Sequence, residues 1–156
     1  MKINYLQGDA TVPQAKGTKI IAHICNNIGG WGKGFVLAIS NRWKEPETAY
    51  RFWHRNRAKN NFELGEIDIV AAQKYIYVAN MIAQQGTKTG SKGVPIRYDA
   101  VEKCLEKLAI QAKEMDASVH MPRIGCGLAG GKWNKIEPII EKTLIANKIK
   151  VYVYDY

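Results

Sequence analysis

The chain has 156 residues, 46% of them hydrophobic and 24% charged, and its 23 Lys plus Arg against 14 Asp plus Glu give a formal net charge of +9. That length suits one domain, 1–156, which can bury a core without help from disulfides or metal, and the composition is that of an ordinary globular protein. The positive field favours anionic partners (nucleic acid, a nucleotide or an anionic surface) or else marks a solvated basic face, and it says nothing about fold.

Three cysteines, Cys25, Cys104 and Cys126, form no Cys-x-x-Cys pair. The amino-terminal "MKINYLQGDAT" lacks the apolar stretch of about 7–15 residues found in a signal peptide, so a reducing cytoplasm is the expected location. No window reaches the roughly 18 apolar residues of a membrane span. The histidines His23, His54 and His120 are scattered, which gives a metal site little support.

In chain order, "KINYLQ" (2–7) reads as a first strand and "GDATVP" as a turn. "KIIAHIC" (19–25) is a continuous apolar run of strand length, as expected of a strand covered on both faces. Phe35, Leu37, Ala38, Ile39 and Trp43 suit a helix. A second helix is expected near Pro46, with Tyr50 and Trp53 inward and Arg51, Arg55, Arg57 and Lys59 mostly outward. "EIDIVAA" (66–72) and "KYIYVANMIA" (74–83) are close enough to form a hairpin. The loop "QQGTKTGSKGVP" (84–95) is small, polar and basic. Val101, Cys104, Leu105, Leu108, Ala112 and Met115 keep the 3.6-residue period of a long amphipathic helix. "SVHMPRI" (118–124) reads as a strand and "GCGLAGGKW" as a second glycine-rich loop. Asn134 and Glu137 have capping-box spacing for a last helix, and "KVYVYDY" closes the chain as a strand. Alternation of this kind predicts a three-layer α/β/α sandwich on a mixed sheet of about six strands.

Two glycine-rich loops, "HICNNIGGWGKGF" (23–35) and "GCGLAGGKW" (125–133), each follow a buried strand and precede a helix. Such loops offer unpaired backbone N–H groups, and two of them facing each other suit a diphosphate. "GCGLAG" matches Gly-x-Gly-x-x-Gly, yet only one helix and one strand follow it, so a dinucleotide fold lacks its second half. A nucleotide-hydrolysing P-loop fails as well, since Trp133 follows Lys132 where a hydroxyl residue is needed for magnesium.

The polar and aromatic residues near these loops each allow two readings. Asp9 suits either an exocyclic amine such as that of adenine or a turn. Asn26 and Asn27 suit either sugar hydroxyls or a turn. Trp31 and Phe35 suit a ribose face or the core. Tyr154 suits stacking on a base or packing.

Taken together, Asp9 in "GDA", "AHICNNIGGWGKGF", "VANMIAQ", "MPRIGCGLAGGKW" and the closing "VYVYDY" resemble the macrodomain family over nearly the whole chain. The nearest branch looks like the one containing ADP-ribose-1''-phosphate processing enzymes and terminal ADP-ribose protein glycohydrolases. The resemblance implies an ADP-ribose pocket and no cofactor. In it, Asp9 and Ala10 meet the adenine, Tyr154 flanks it, and Asn26 holds the distal ribose. Trp31, Gly32, Lys33, Gly34 and Phe35 lie on one side of the diphosphate and distal ribose. Ile124, Gly125, Cys126, Gly127 and Leu128 lie on the other.

This chain departs from the branch that uses a lysine nucleophile. Ala129 stands where an aspartate follows "GCGL", and Gln84 and Gln85 stand where the lysine is expected. Lys88 and Lys92 lie further along the loop as weaker candidates. Without that pair, the expected chemistry is hydrolysis by a positioned water, with Asn26 orienting the sugar and His23 assisting, unless His23 is simply a core residue. The sequence thus leaves three function classes: a hydrolase of ADP-ribose derivatives, a non-catalytic ADP-ribose reader, and a nucleic-acid module, the last without a supporting motif. Oligomeric state is not legible.

Overall fold

The structure, a computed structural model, describes residues 1–90 and 93–156. Six strands form one sheet: β1 (Asn4–Gln7), β2 (Lys19–Asn26), β3 (Ile67–Gln73), β4 (Ile76–Gln84), β5 (Ser118–Met121) and β6 (Val151–Asp155). Their order is β1-β6-β5-β2-β4-β3, parallel throughout except where β3 pairs antiparallel with β4. The sheet is mixed for a simple reason: a two-residue turn joins β3 to β4, and so short a connection can only reverse the chain.

The helices are α1 (Phe35–Ser40), α2 (Glu45–Arg55), α3 (Tyr98–Met115) and α4 (Trp133–Thr143). Helices α3 and α4 cover one face of the sheet, where Leu105, Leu108, Ile136 and Ile140 pack with Ile20, Met81, Val119 and Val153. Helices α1 and α2 cover the other, where Ile39, Tyr50 and Trp53 pack with Ile21, Val78 and Ile82. Strand β2 supplies both cores, since Ile20 and Ile21 are fully buried on opposite faces. Each buried side chain of this size contributes roughly 1.5–3 kcal/mol. This is the three-layer α/β/α sandwich expected from the alternation of elements.

Several boundaries differ from the sequence expectation, and helix α1 stops at Ser40, short of Trp43. Strand β1 begins at Asn4, two residues late. Strand β5 ends at Met121 rather than Ile124, because Pro122 has no N–H to continue a ladder. Helix α4 opens at Trp133 with Lys132 as its cap and no side-chain capping bond. The Asn134–Glu137 capping box is therefore not formed, and Glu137 accepts a hydrogen bond from the Tyr5 hydroxyl instead.

The five parallel strands point the same way. The segments that follow β1, β2, β4 and β5 gather at one edge of the sheet, where ligands of open α/β sheets bind. Among the described residues, no helix is long and apolar enough to cross a membrane.

Candidate functional site

Two cavities, of about 500 and 310 Å³, lie along that edge and share Phe35 and Pro122 as lining residues. They form one elongated cleft. Asp9, Ala10, Arg42 and Tyr154 line its first half. His23, Lys33, Gln84, Gly127, Leu128 and Ala129 line its second.

In the first half, the turn "GDAT" shapes its own acceptor. Asp9 Oδ1 takes hydrogen bonds from the Thr11 N–H at 2.8 Å and the Thr11 hydroxyl at 2.7 Å. Arg42 Nε donates to that hydroxyl at 2.7 Å, and Arg42 Nη2 stands 3.7 Å from Asp9 Oδ2. One carboxylate oxygen is therefore committed to the turn, while the other keeps lone pairs for a donor in the cleft. Across from it, Tyr154 is fixed by its phenolic oxygen, which accepts from the Gln14 N–H at 2.8 Å and lies 2.7 Å from His120 Nδ1. His120 Nε2 is 2.7 Å from Ser118 Oγ. Burial, with Lys19 adding to it, lowers the His120 pKa to about 4, so at neutral pH the ring is uncharged, with one nitrogen a donor and the other an acceptor.

In the second half, the loop after β5 folds on itself. Gly130 N–H bonds to the Gly127 carbonyl at 3.0 Å and Gly131 N–H to the Gly125 carbonyl at 2.7 Å. Among the described residues, the N–H groups of Gly127 and Leu128 have no backbone partner. These are the donors an anion needs. The glycines here also allow close packing, for a Cβ on Gly125, whose φ is +73°, would stand 2.7 Å from the Ile96 side chain. Arg123 anchors the start of the loop by a two-pronged bond to Asp155, at 2.7 and 2.9 Å. Its guanidinium also lies 5.2 Å from the ring centres of both Tyr5 and Trp133.

The loop after β2 is organised by Asn26. Its Oδ1 accepts from the N–H groups of Ile28 and Gly30, both at 3.0 Å, and from the Tyr50 hydroxyl at 2.9 Å; its Nδ2 donates to the Gly30 carbonyl at 2.9 Å. Trp31 is 5% exposed and belongs to the core; its indole donates to Ser40 Oγ, and its ring meets His23 edge-on. His23 is buried with Nε2 2.6 Å from Asn80 Oδ1, and Nδ1 finds no partner in the protein. Burial pushes its pKa down to about 4.

Of the residues singled out from sequence, Asp9, Ala10, Phe35 and Tyr154 line the first half of the cleft. His23, Lys33, Gly34, Phe35, Ile124, Gly125, Gly127 and Leu128 line the second. Asn26, Trp31, Gly32 and Cys126 line neither: Asn26 holds the loop, Trp31 sits in the core, Gly32 is exposed, and Cys126 packs against the α3–α4 core. Sequence reasoning passed over Arg42, Pro122 and Arg123. For Arg123 the signal was available, since it stands inside "MPRIGCGLAGGKW", one of the stretches that carry the family resemblance.

The chain matches the model of the Macro domain family over residues 22–140. The chain belongs to the macrodomain family. This macrodomain is 53% identical to a macrodomain protein from Streptomyces coelicolor, with a TM-score of 0.90 and 99% of each chain covered. It is 32% identical to the chromodomain-helicase-DNA-binding protein 1-like protein of Mus musculus, a match covering 97% of this chain and 17% of that protein. It is also 26% identical to the ADP-ribose 1''-phosphate phosphatase of Lodderomyces elongisporus, covering 99% of this chain and 100% of the relative. The chain thus spans only about a sixth of the length of the helicase-like relatives it matches.

In this macrodomain Gln84 and Ala129, at the two positions where a lysine and an aspartate were sought, both line the second half of the cleft. Neither carries a nucleophile. Lys88 is exposed and lines neither half, and Lys92 lies outside the described residues. Among the described residues, no three His, Cys, Asp or Glu side chains group as metal ligands.

Proposed function

We propose that this macrodomain binds ADP-ribose along the cleft and hydrolyses the bond at C1'' of the distal ribose. The observation that carries the reading is the shared wall of Phe35 and Pro122, which joins an adenosine-sized half beside Asp9 and Tyr154 to a half floored by the unpaired N–H groups of Gly127 and Leu128. In this reading Asp9 Oδ2 accepts from the adenine amine, the Tyr154 ring flanks the base, and the 125–128 loop takes the diphosphate. The activity of the Lodderomyces relative supports the choice of substrate class.

A positioned water adds to C1'', the bond from C1'' to the leaving oxygen breaks, and the leaving group departs as a carboxylate or phosphate. The proton of the water passes to His23 Nδ1 and on to solvent. With its pKa at about 4, His23 is a weak base; a diphosphate bound nearby raises that value. Asn26 acts by holding the loop in shape. Gln84 and Ala129 favour a second reading, a reader that binds ADP-ribose without turnover.

Calorimetric titration with ADP-ribose beside AMP, ATP and NAD tests the binding. The expected result is selective micromolar affinity, weakened at least about tenfold, or 1.4 kcal/mol, in Asp9→Ala. Equal response to all four ligands, or none, overturns the proposal. Release of ADP-ribose from a glutamyl ester or from the 1''-phosphate separates hydrolase from reader.

A further inference from the structure

A cavity of about 810 Å³ lies away from the cleft, between α2 and the edge strand β3. Thr48, Ala49, Phe52 and Trp53 form one wall and Ile67, Asp68, Val70 and Ala71 the other. Phe52 is 60% exposed there, a large apolar surface left in water.

Strand β3 is the free edge of the sheet, with a register irregularity only at its Ala71–Gln73 end. It runs for seven residues, IDIVAAQ, without a lysine or proline, the residues that normally blunt a free edge against pairing. The opposite edge, β1, has only four residues.

The charges in this groove have an order. Trp43 Nε1 donates to Gln73 Oε1, and Trp53 Nε1 donates to Asn61 Oδ1, so α2 runs opposite to β3. Lys44 and Glu45 therefore mark the end of the groove near Ala71, and Arg55 marks the end near Ile67 and Asn60. Asp68 lies between them. Among the described residues, none of these four charged side chains is in an ion pair. Burial with no cation beside it raises the Asp68 pKa.

We propose that this groove is the contact surface for a second copy of the chain, with β3 pairing antiparallel to β3 of the partner across a two-fold axis normal to the sheet. An antiparallel strand is complementary to itself under such an axis, and the interface is isologous. The operation keeps α2 of both copies on the same side of the extended sheet and covers Phe52 with its counterpart. It also turns the Lys44–Glu45 end of one copy toward the Arg55 end of the other. Groove and edge would thereby satisfy together what each leaves open alone. Two cations and two anions in one groove match a second copy better than they match a polyanion, whose phosphates would meet Glu45 and Asp68.

The test is sedimentation of the whole chain over a concentration series, and the charges permit a swap. Wild type is expected to sediment as a dimer. Phe52→Glu, at an exposed position, and Glu45→Arg or Arg55→Glu alone are expected to weaken association at least about tenfold, with circular dichroism unchanged. The double variant Glu45→Arg with Arg55→Glu is expected to recover it. A wild type that stays monomeric at all concentrations up to about 0.5 mM, above the micromolar range of ordinary specific contacts, overturns the proposal. So does a dimer indifferent to these substitutions, or a monomer whose groove instead retains single-stranded oligonucleotide at low salt.

Discussion

His23 Nε2 stands 2.6 Å from Asn80 Oδ1, while Asn80 Nδ2 donates to the Pro46 carbonyl at 3.0 Å. The second bond fixes Asn80 Oδ1 as an acceptor. His23 must therefore carry its hydrogen on Nε2, and Nδ1 is left as a buried lone pair without a partner in the protein. Three elements, β2, β4 and the first turn of α2, meet in this one buried polar chain.

The two buried histidines make stability depend on pH. The unfolded chain takes up protons on His23 and His120 near pH 6.5, whereas the folded protein does so only at about 4. The unfolded state then binds more protons between those values, so stability falls as pH drops from 6.5 toward 4. The expected loss approaches about 3 kcal/mol per histidine at pH 4. Urea denaturation at stepped pH checks it, and His120→Gln is expected to flatten part of the slope. A slope unchanged in that variant would show that His120 titrates normally.

Asn26 separates loop structure from chemistry. Its carboxamide makes four hydrogen bonds, three of them within the 26–30 turn. Asn26→Ala strands these partners, including the buried Tyr50 hydroxyl, at a cost of about 2–4 kcal/mol. Thermal denaturation should show a lowered midpoint, and ADP-ribose affinity should fall with it. A variant with unchanged stability and lost turnover would return Asn26 to a direct catalytic role.

The layered fold was legible because its signals are local. "KIIAHIC" is apolar without interruption since β2 is covered on both faces, and the period of Val101, Leu105, Leu108 and Ala112 records the face of α3 turned to the sheet. The ends of the cleft were legible for another reason: Asp9 and Gly127 lie on chain turns whose residue types are themselves unusual. What escaped was set by contacts distant in sequence. Asn80 is 57 residues from His23 and Asp155 is 32 from Arg123, and no local pattern pairs them. Trp31 looked like a ligand residue because it stands among glycines, yet the chain folds back and buries it under Tyr50.

Arg123 and Asp155 give a prediction about loop order. Both side chains are more than a third exposed, so the pair contributes no more than about 1 kcal/mol to stability. Arg123→Lys keeps the charge but gives up the two-pronged geometry and the flat faces presented to Tyr5 and Trp133. The expected outcome is a nearly unchanged melting temperature with ADP-ribose affinity reduced about tenfold, read by denaturation and calorimetry on the same sample. A large drop in stability would make the pair a fold element instead.

Gly127 and Gly131 lie four residues apart in one loop and answer to different constraints. A Cβ on Gly131 would stand 2.5 Å from the Gly125 carbonyl oxygen, a backbone atom that cannot swing away, whereas a Cβ on Gly127 meets nothing within 4 Å. Gly131→Ala must therefore push the two strands of the loop apart, which costs about 1–3 kcal/mol as overpacking does. Gly127→Ala leaves the fold within about 0.5 kcal/mol of wild type. Yet Gly127 lines the cleft, and its N–H is one of the free donors, so a methyl group there narrows the approach of a diphosphate. Paired denaturation and calorimetry should find Gly131→Ala impaired in both measurements and Gly127→Ala impaired only in binding. If Gly127→Ala bound ADP-ribose as wild type does, the diphosphate would not lie against this loop.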